Sequence, residues 1–506
     1  MEVPISPPLW LRRCGHGICA AIALSLAVVQ ISPNLFEAAP PVLVLWQAVG
    51  GDLEGLARRT SAPAVEASDV AAGAGVSERA AAAIGSTTGA IDSTTGAIDS
   101  TTGAPASTAT TTASVIEGTT SQEGCRPDGE ASPMRFGAIG DGRANDTGAV
   151  LAAFAHVSRC GGTVVVGPAG SAFLVDPGAL TLDSLRGVTI RFEGWLEGPA
   201  LEAWNPSLGG WPEGSCAYGG RGCAEGAGES PEVARSHWGL LHCRNCSDLR
   251  LEGPGGLRAP GRSFWSVRNT RPAVRGYCLL KLTSCERIAV SGLALVNSPM
   301  YHLVVMGSRA VTVERLSVRV DSDILGDHAP HNTDGVSIIA SEGITLRRSE
   351  IESGDDNVVI KERSSDILAE DLLLVRGKGV AIGSLGERAA ERQVVRNVVF
   401  RNVTSDRCMH GARIKTWKGA TGLVRNVTFS GFLLRGVSVG ILINQRYCPR
   451  SQRPEGCAGG DGRAIAIEDV LFQDFRGTYT SSARISQCVR CTGVRYERVE
   501  LERAGK

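Results

Sequence analysis

Aromatic residues make up only 5% of this 506-residue chain. A helix-built globular interior of that size normally holds more of them, so a helical fold class is disfavoured. Neither a G-x-G-x-x-G run nor a Walker pattern occurs, which removes a nucleotide-binding loop. The formal net charge is +0, so nucleic acid is not indicated as a partner. Hairpin spacing and sustained Asn-Gly turns are missing, which argues against a β-sandwich. The N-terminal apolar run, Ile18 to Val29, falls short of the roughly 18–20 residues a membrane span needs.

What is present is glycine, 63 residues of it, between many short Val/Ile/Leu runs. That combination suits a turn-rich all-β chain. Arg12 and Arg13 ahead of the apolar run fit a secretory signal peptide over residues 1–39. A type II membrane anchor is the alternative. Residues 40–124 form an Ala/Ser/Thr/Gly-rich segment with the tandem copy STTGAIDSTTGAIDSTTGA. It cannot bury a core and reads as a disordered stalk. Of 52 basic and 52 acidic residues, 5 arginines and 11 acids lie in the first 124, leaving 47 and 41 for residues 125–506. That excess suits a polyanionic substrate. In a secreted chain the 13 cysteines beyond Cys14 and Cys19 should mostly pair, with one left over. Cys243-x-x-Cys246 with Cys488-x-x-Cys491 could alternatively bind zinc. Triplets at Asn145, Asn245, Asn402 and Asn426 are glycosylation acceptors in form.

From Leu185 one pattern recurs: apolar at i, i+2, i+5 and i+7. It occurs at Ile288, Val290, Leu293 and Leu295, and again at Val311, Val313, Leu316 and Val318. It returns at Ile367, Ala369, Leu372 and Leu374, and at Val427, Phe429, Phe432 and Leu434. Steps of 23 residues separate 288 from 311 and 344 from 367. A strand, turn, strand unit of that length predicts a parallel β-helix over 125–506. A short helix at Gly148–Arg159, with Asp146-Thr147 at its N-cap, should cover its N-terminal end.

Asp334, Asp355 and Asp356 fall about one coil apart. Rungs of such a stack are about 4.8 Å apart, so the three carboxyls should share a patch. Asp355 and Asp356 can face the same way only if the chain bends, which Gly354 permits. Crowded carboxylates push at least one pKa up, and an acid beside ionised carboxylates suits glycosidic hydrolysis. A solvated Asp-Asp turn, a Ca²⁺ site and a structural Asn/Asp turn ladder remain alternatives. Arg413 and Lys415, at i and i+2, share one side of a strand with Ile414 inward. Arg offers a planar fork to a carboxylate, Lys a point charge.

In order and spacing, Asn332-Thr333-Asp334, Gly354-Asp355-Asp356 and Arg413-Ile414-Lys415 resemble the polygalacturonases, glycoside hydrolase family 28. Further likenesses are FGAIGDGRANDT, Asn297-Ser298-Pro299 with His302, Gly377-x-Gly379 followed by AIGSLG, Ile443-Asn-Gln-Arg-Tyr447-Cys448, and Cys488-Val-Arg-Cys491-Thr-Gly. The resemblance runs from about Met134 to the C-terminus. It implies a right-handed parallel β-helix that hydrolyses α-1,4-galacturonosyl links in pectin by inversion, without metal or cofactor. It implies Asp355 as general acid, and Asp334 and Asp356 as the pair that activates water. Asn332, Arg413, Lys415 and Tyr447 would bind substrate, and Cys488 and Cys491 would be bonded. A second disulfide is expected between Cys448 and Cys457.

The chain departs from the family where Lys378 replaces a histidine. Lys378 follows Asp356 by 22 residues, about one coil, so it should ion-pair with a carboxylate of the cluster. Alternatives are a hydrolase for rhamnogalacturonan or another uronate polymer, a pectin-binding protein without turnover, and a Ca²⁺-dependent pectate lyase. The expected setting is extracellular or cell wall, as a monomer, with membrane attachment if the leader is retained.

Overall fold

The computed structural model describes residues 129–204, 238–270, 276–321, 329–387, 393–448 and 463–505. The leader, the tandem repeat, Cys216, Cys223 and residues 322–328 lie outside the described residues.

The chain winds as a right-handed parallel β-helix, each strand pairing in parallel with the strand one coil earlier and one coil later. The 23-residue steps are real register steps: Ile288 stands beside Val311 and Ile344 beside Ile367. Other steps are longer because loops leave the coil, as where Val427 meets Val470. The inward residues of the repeated pattern are all buried, Val311, Val313, Leu316 and Val318 among them. Near the C-terminal end the column becomes aromatic. Phe400, Phe429, Phe472 and Tyr496 stack at 5.2, 4.9 and 5.2 Å with nearly parallel rings.

The physical reason for the spacing i, i+2, i+5, i+7 lies at its corners. Each unit is bracketed by residues in the left-handed region, at i−1 and i+4. Ala310 (φ 54°) and Arg315 (φ 52°) bracket the unit from Val311, and Asp366 (φ 59°) and Asp371 (φ 56°) that from Ile367. A left-handed non-glycine residue costs about 1–2 kcal/mol, and side-chain ladders between rungs offset part of that cost. The Asn397 amide donates to Asp366 at 2.8 Å, Asn426 to Asn397 at 2.9 Å, and Asn402 to Asp371 at 2.7 Å.

A helix at Thr147–Cys160 packs its buried face, Val150, Ala153, Phe154 and Val157, onto the first coils. Asp146 is its N-cap residue but makes no side-chain cap bond. Its carboxylate instead accepts the amide hydrogens of Ile139 and Gly140 at 2.8 and 3.0 Å, which ties the glycine-rich turn to the helix.

The cysteine expectation needs correction. Cys488 and Cys491 are bonded to each other, so the two C-x-x-C pairs do not join in a zinc site. Cys448 is disulfide-bonded; Cys457 lies outside the described residues. Cys243, Cys246, Cys278, Cys285 and Cys408, however, are free and buried. Cys243, Cys246, Cys285 and Cys408 pack in the coil interior, and Cys278 in a separate buried cluster with Met300, Tyr301 and Val304, instead of bridging exposed loops. Cys285 is in line with Ser308 and Ser341 on successive rungs, each backbone N–H donating to the next hydroxyl: Cys285 to Ser308 at 3.0 Å, Ser308 to Ser341 at 3.1 Å.

Candidate active site

Four consecutive rungs build the site: strands Val336–Ile339, Val358–Ile360, Val380–Leu385 and His410–Trp417. Val336, Val358, Val380 and Ala412 are in register. Two residues upstream, Asp334, Asp356, Lys378 and His410 therefore occupy successive rungs. The carboxyl repeat is thus 22 residues, from Asp334 to Asp356. Asp355 stands one residue off that column, in the bend Gly354 and Asp355 make.

Local sequence fixes that bend. The buried Thr333 hydroxyl donates to the Pro330 carbonyl at 2.7 Å and accepts the Gly354 N–H at 3.0 Å. A Cβ at position 354 would collide with the Pro330 ring and carbonyl, so glycine is needed there for close approach. Asn357, fully buried, donates to the Ile351 carbonyl and accepts from Gly379 N–H, both at 2.8 Å. It thereby anchors the Gly377-Lys378-Gly379 turn. Gly377 (φ 65°) and Gly379 (φ 77°) are both left-handed, which lifts Lys378 out of the coil.

All three carboxyls are buried: Asp334 5% exposed, Asp355 7% and Asp356 4%. Lys378 Nζ donates to Asp355 Oδ2 at 2.8 Å. The expected ion pair is therefore present, with Asp355 and not the in-column Asp356 as partner. Asp355 also accepts Asn332 N–H at 3.2 Å and Asp356 N–H at 2.9 Å. Arg413 is not held free for a ligand: its guanidinium forms an ion pair with Asp356, each side chain 6% exposed. Asp334 makes one side-chain contact among the described residues, accepting from Ser337 Oγ at 3.2 Å.

The charges divide accordingly. Burial, then the charges of Asp355 and Asp356, hold the Asp334 carboxyl well above the usual carboxylate range. Burial also acts to raise Asp355, but the Lys378 ammonium beside it, with Lys415 and Arg413, more than offsets this and leaves it below that range. Burial acts to lower Lys378, yet Asp355 and Asp356 raise it on balance. Burial and the adjacent Arg413 push Lys415 down to about 7, so Lys415 is not the fixed cation its type suggests. Its ammonium sits 4.6 Å over the Tyr447 ring, which meets Trp417 edge-on at 5.7 Å.

Three supporting residues escaped sequence reading. Arg268 reaches from helix Gly261–Thr270 to the His331 carbonyl at 3.0 Å and to the Asn332 side-chain oxygen. It holds Asn332 beside Asp355, and no sequence spacing could show that. Asn357 adjoins the Asp pair but reads as an ordinary turn residue. His410, on the rung after Lys378, is buried with Nδ1 unpartnered among the described residues; burial and Arg413 push it down to about 3, so it is neutral. His302, singled out by its motif, supports Asp334 from the preceding rung. Its Nε2 accepts Ser298 N–H at 3.3 Å, which leaves Nδ1 to donate to the Asp334 carbonyl at 3.1 Å.

Comparison with known proteins identifies the family. Residues 230–506 match the family described as Glycosyl hydrolases family 28. A polygalacturonase of Prunus persica is 30% identical over 73% of this chain and 87% of its own length. The chain belongs to glycoside hydrolase family 28. A probable polygalacturonase of Arabidopsis thaliana is 29% identical over 73% of each chain. The crystal structure of an endo-xylogalacturonan hydrolase from Aspergillus tubingensis superposes with a TM-score of 0.60 at 22% identity. It covers 74% of this chain and 93% of that one, a likeness of fold. This family 28 chain is accordingly a glycoside hydrolase.

Proposed function

We propose that this enzyme hydrolyses α-1,4-galacturonosyl links of pectic polysaccharide, with inversion at the anomeric carbon. The observation that carries the reading is the buried trio Asp334, Asp355 and Asp356 on two adjacent rungs, flanked by Arg413, Lys415 and Tyr447. One protonated and two ionised carboxyls can protonate a leaving oxygen and take a proton from water. Lys415 grips the uronate carboxylate while Tyr447 offers an apolar ring face to the sugar. Arg413 pairs with Asp356 beside them. No metal enters this chemistry: two of the three carboxylates already have cationic partners, the opposite of the anionic cage a divalent ion needs. A lyase would require that cage. Secretion belongs to the same reading and is supported by the Cys488–Cys491 disulfide, a bond of oxidising compartments. Residues 1–39 serve as leader or anchor and 40–124 as a stalk.

The test is release of reducing ends from polygalacturonate, with early product anomers read by NMR. Inverted product is expected. Retention would refute the mechanism, and an unsaturated product would make the protein a lyase. Retention of the polymer with no new ends would make it a binding protein. Rhamnogalacturonan assayed in parallel decides the substrate.

A further inference from the structure

We propose that Lys361 is a substrate-binding residue, which takes a second uronate carboxylate of the polymer on a sugar unit neighbouring the one Lys415 holds. This rests on the polyuronate reading above and adds a subsite to it.

The register of the strands carries it. On the four rungs of the site, Val336 and Ile338, Val358 and Ile360, Val380 and Ile382, and Ala412 and Ile414 belong to the core. Side chains alternate along a strand, so the residues that follow them turn outward: Ser337 and Ile339, Val359 and Lys361, Ala381 and Gly383, Arg413 and Lys415. Ile360 is level with Ile382, and Ile382 with Ile414. One residue further on, Lys361, Gly383 and Lys415 form one outward column. Lys361 stands on the rung of Asp355 and Asp356, and Lys415 two rungs on.

The rung between the two lysines is bare. A Cβ at Gly383 (φ 92°) would strike the Lys415 carbonyl oxygen, which sets the two positions side by side and excludes a larger residue there. With Ala381 beside it, this rung raises nothing longer than a methyl group from the floor, which leaves room for a sugar ring. Two rungs are about 9.6 Å. At that separation the ammonium groups, on flexible four-carbon stems, serve carboxylates on different sugar units instead of sharing one.

The charges agree with this placement. Lys361 is half-buried, and its charge acts on Asp334, Lys415 and Tyr447 alike. Lys361, Lys378, Arg413 and Lys415 therefore face Asp355 and Asp356, with Asp334 held above the usual carboxylate range. Once Lys378 is set against Asp355 and Arg413 against Asp356, positive charge is in excess among these groups. A polyanion is the ligand that such an excess attracts.

The test compares wild type, Lys361→Gln and Lys361→Arg in the full chain. A hydrogen bond to a charged group is worth about tenfold or more in affinity. Lys361→Gln should therefore raise KM for polygalacturonate about tenfold, with the larger part of the loss in KM and not in kcat. Lys361→Arg should restore most of it. The preference for polygalacturonate over partly methyl-esterified pectin, as a ratio of kcat/KM values, should fall in Lys361→Gln, because only a free carboxylate can use the lysine. Unchanged KM and preference overturn the proposal. So does a fall in kcat with a shifted pH profile and unchanged preference, which would make Lys361 a partner of the carboxyl trio alone. Retention on immobilised polygalacturonate, eluted with salt, is read alongside and needs no turnover. Lys361→Gln should elute at lower salt than wild type, and Lys361→Arg close to wild type. If no form releases reducing ends while this order holds, the hydrolase reading fails and the subsite stands. Equal elution of all three overturns the subsite whether or not the polymer is cleaved.

Discussion

Lys378→Met removes an ammonium 2.8 Å from Asp355 and keeps a side chain of similar length. Two unit charges about 4 Å apart attract by about 4 kcal/mol at an effective dielectric near 20. Breaking a fully buried pair costs about 3–5 kcal/mol, much of it from the charge left behind. Here the lysine side chain is 28% exposed and that of Asp355 10%, so water compensates part of the loss. An intermediate destabilisation of about 1–3 kcal/mol at pH 7 is expected.

Its pH dependence has a definite sign. Lys378 holds the folded-state pKa of Asp355 below its unfolded value. The pair's contribution is therefore complete above the ordinary aspartate value of about 3.9 and is lost as pH falls through the lower folded one. In the variant, Asp355 keeps Lys415 and Arg413 but loses the ammonium hydrogen-bonded to it, and it accepts a proton more readily. The penalty should be greatest at pH 7 and shrink toward pH 4. Urea midpoints of wild type and variant at both values measure it. Equal stability at pH 7, or a penalty that grows on acidification, would refute the reasoning. In turnover, Lys378→His should move the pH profile; unchanged rate and profile would put Lys378 outside the chemistry.

Lys415 is charged below about 7 and loses its proton above, so KM for polygalacturonate should rise between pH 6 and 8, and Lys415→Arg should flatten that rise. Gly379→Ala places a Cβ on the His410 carbonyl oxygen at φ 77°; it should displace the Lys378 turn and cut kcat at least about tenfold, with a lower melting temperature, since clash adds to the roughly 1–2 kcal/mol left-handed cost. The thiols of Cys243, Cys246, Cys278, Cys285 and Cys408 should resist a thiol reagent in the folded protein and react on denaturation, whereas the reverse would mean that this part of the coil opens readily.

The solenoid was legible because its inward residues repeat on a fixed spacing that no hairpin fold reproduces. Its corners were not: Ala310 and Arg315 are left-handed although neither is a turn-type residue, so only the stacking of neighbouring coils imposes that conformation. The carboxyl trio was legible from coil length. One residue in the repeat, 22 where Asp334 to Asp355 suggests 21, then decides which aspartate stands in the column. The cysteines misled because compartment predicts bonding in general, while each thiol's place in the coil decides it. Cys285 occupies an inward corner that Ser308 and Ser341 fill on later rungs. Arg268 comes from a helix outside the strand repeat, and its contact with Asn332 spans 64 residues.

The rungs also explain how a lysine can stand where the family has histidine. The backbone of the turn is held by bonds that do not involve the side chain at 378: its N–H donates to the Asp355 carbonyl at 2.7 Å, and Gly379 N–H donates to Asn357. The side chain can therefore change without moving the carboxyls by way of the backbone. What changes is the charge balance. A neutral imidazole at that place would leave Asp355 free to share the proton, whereas an ammonium commits it as an anion. Arg413 pairs with Asp356 on the same patch. A single substitution on one rung can thus shift the charge balance of a carboxyl on another, through electrostatics alone and with the coil unaltered.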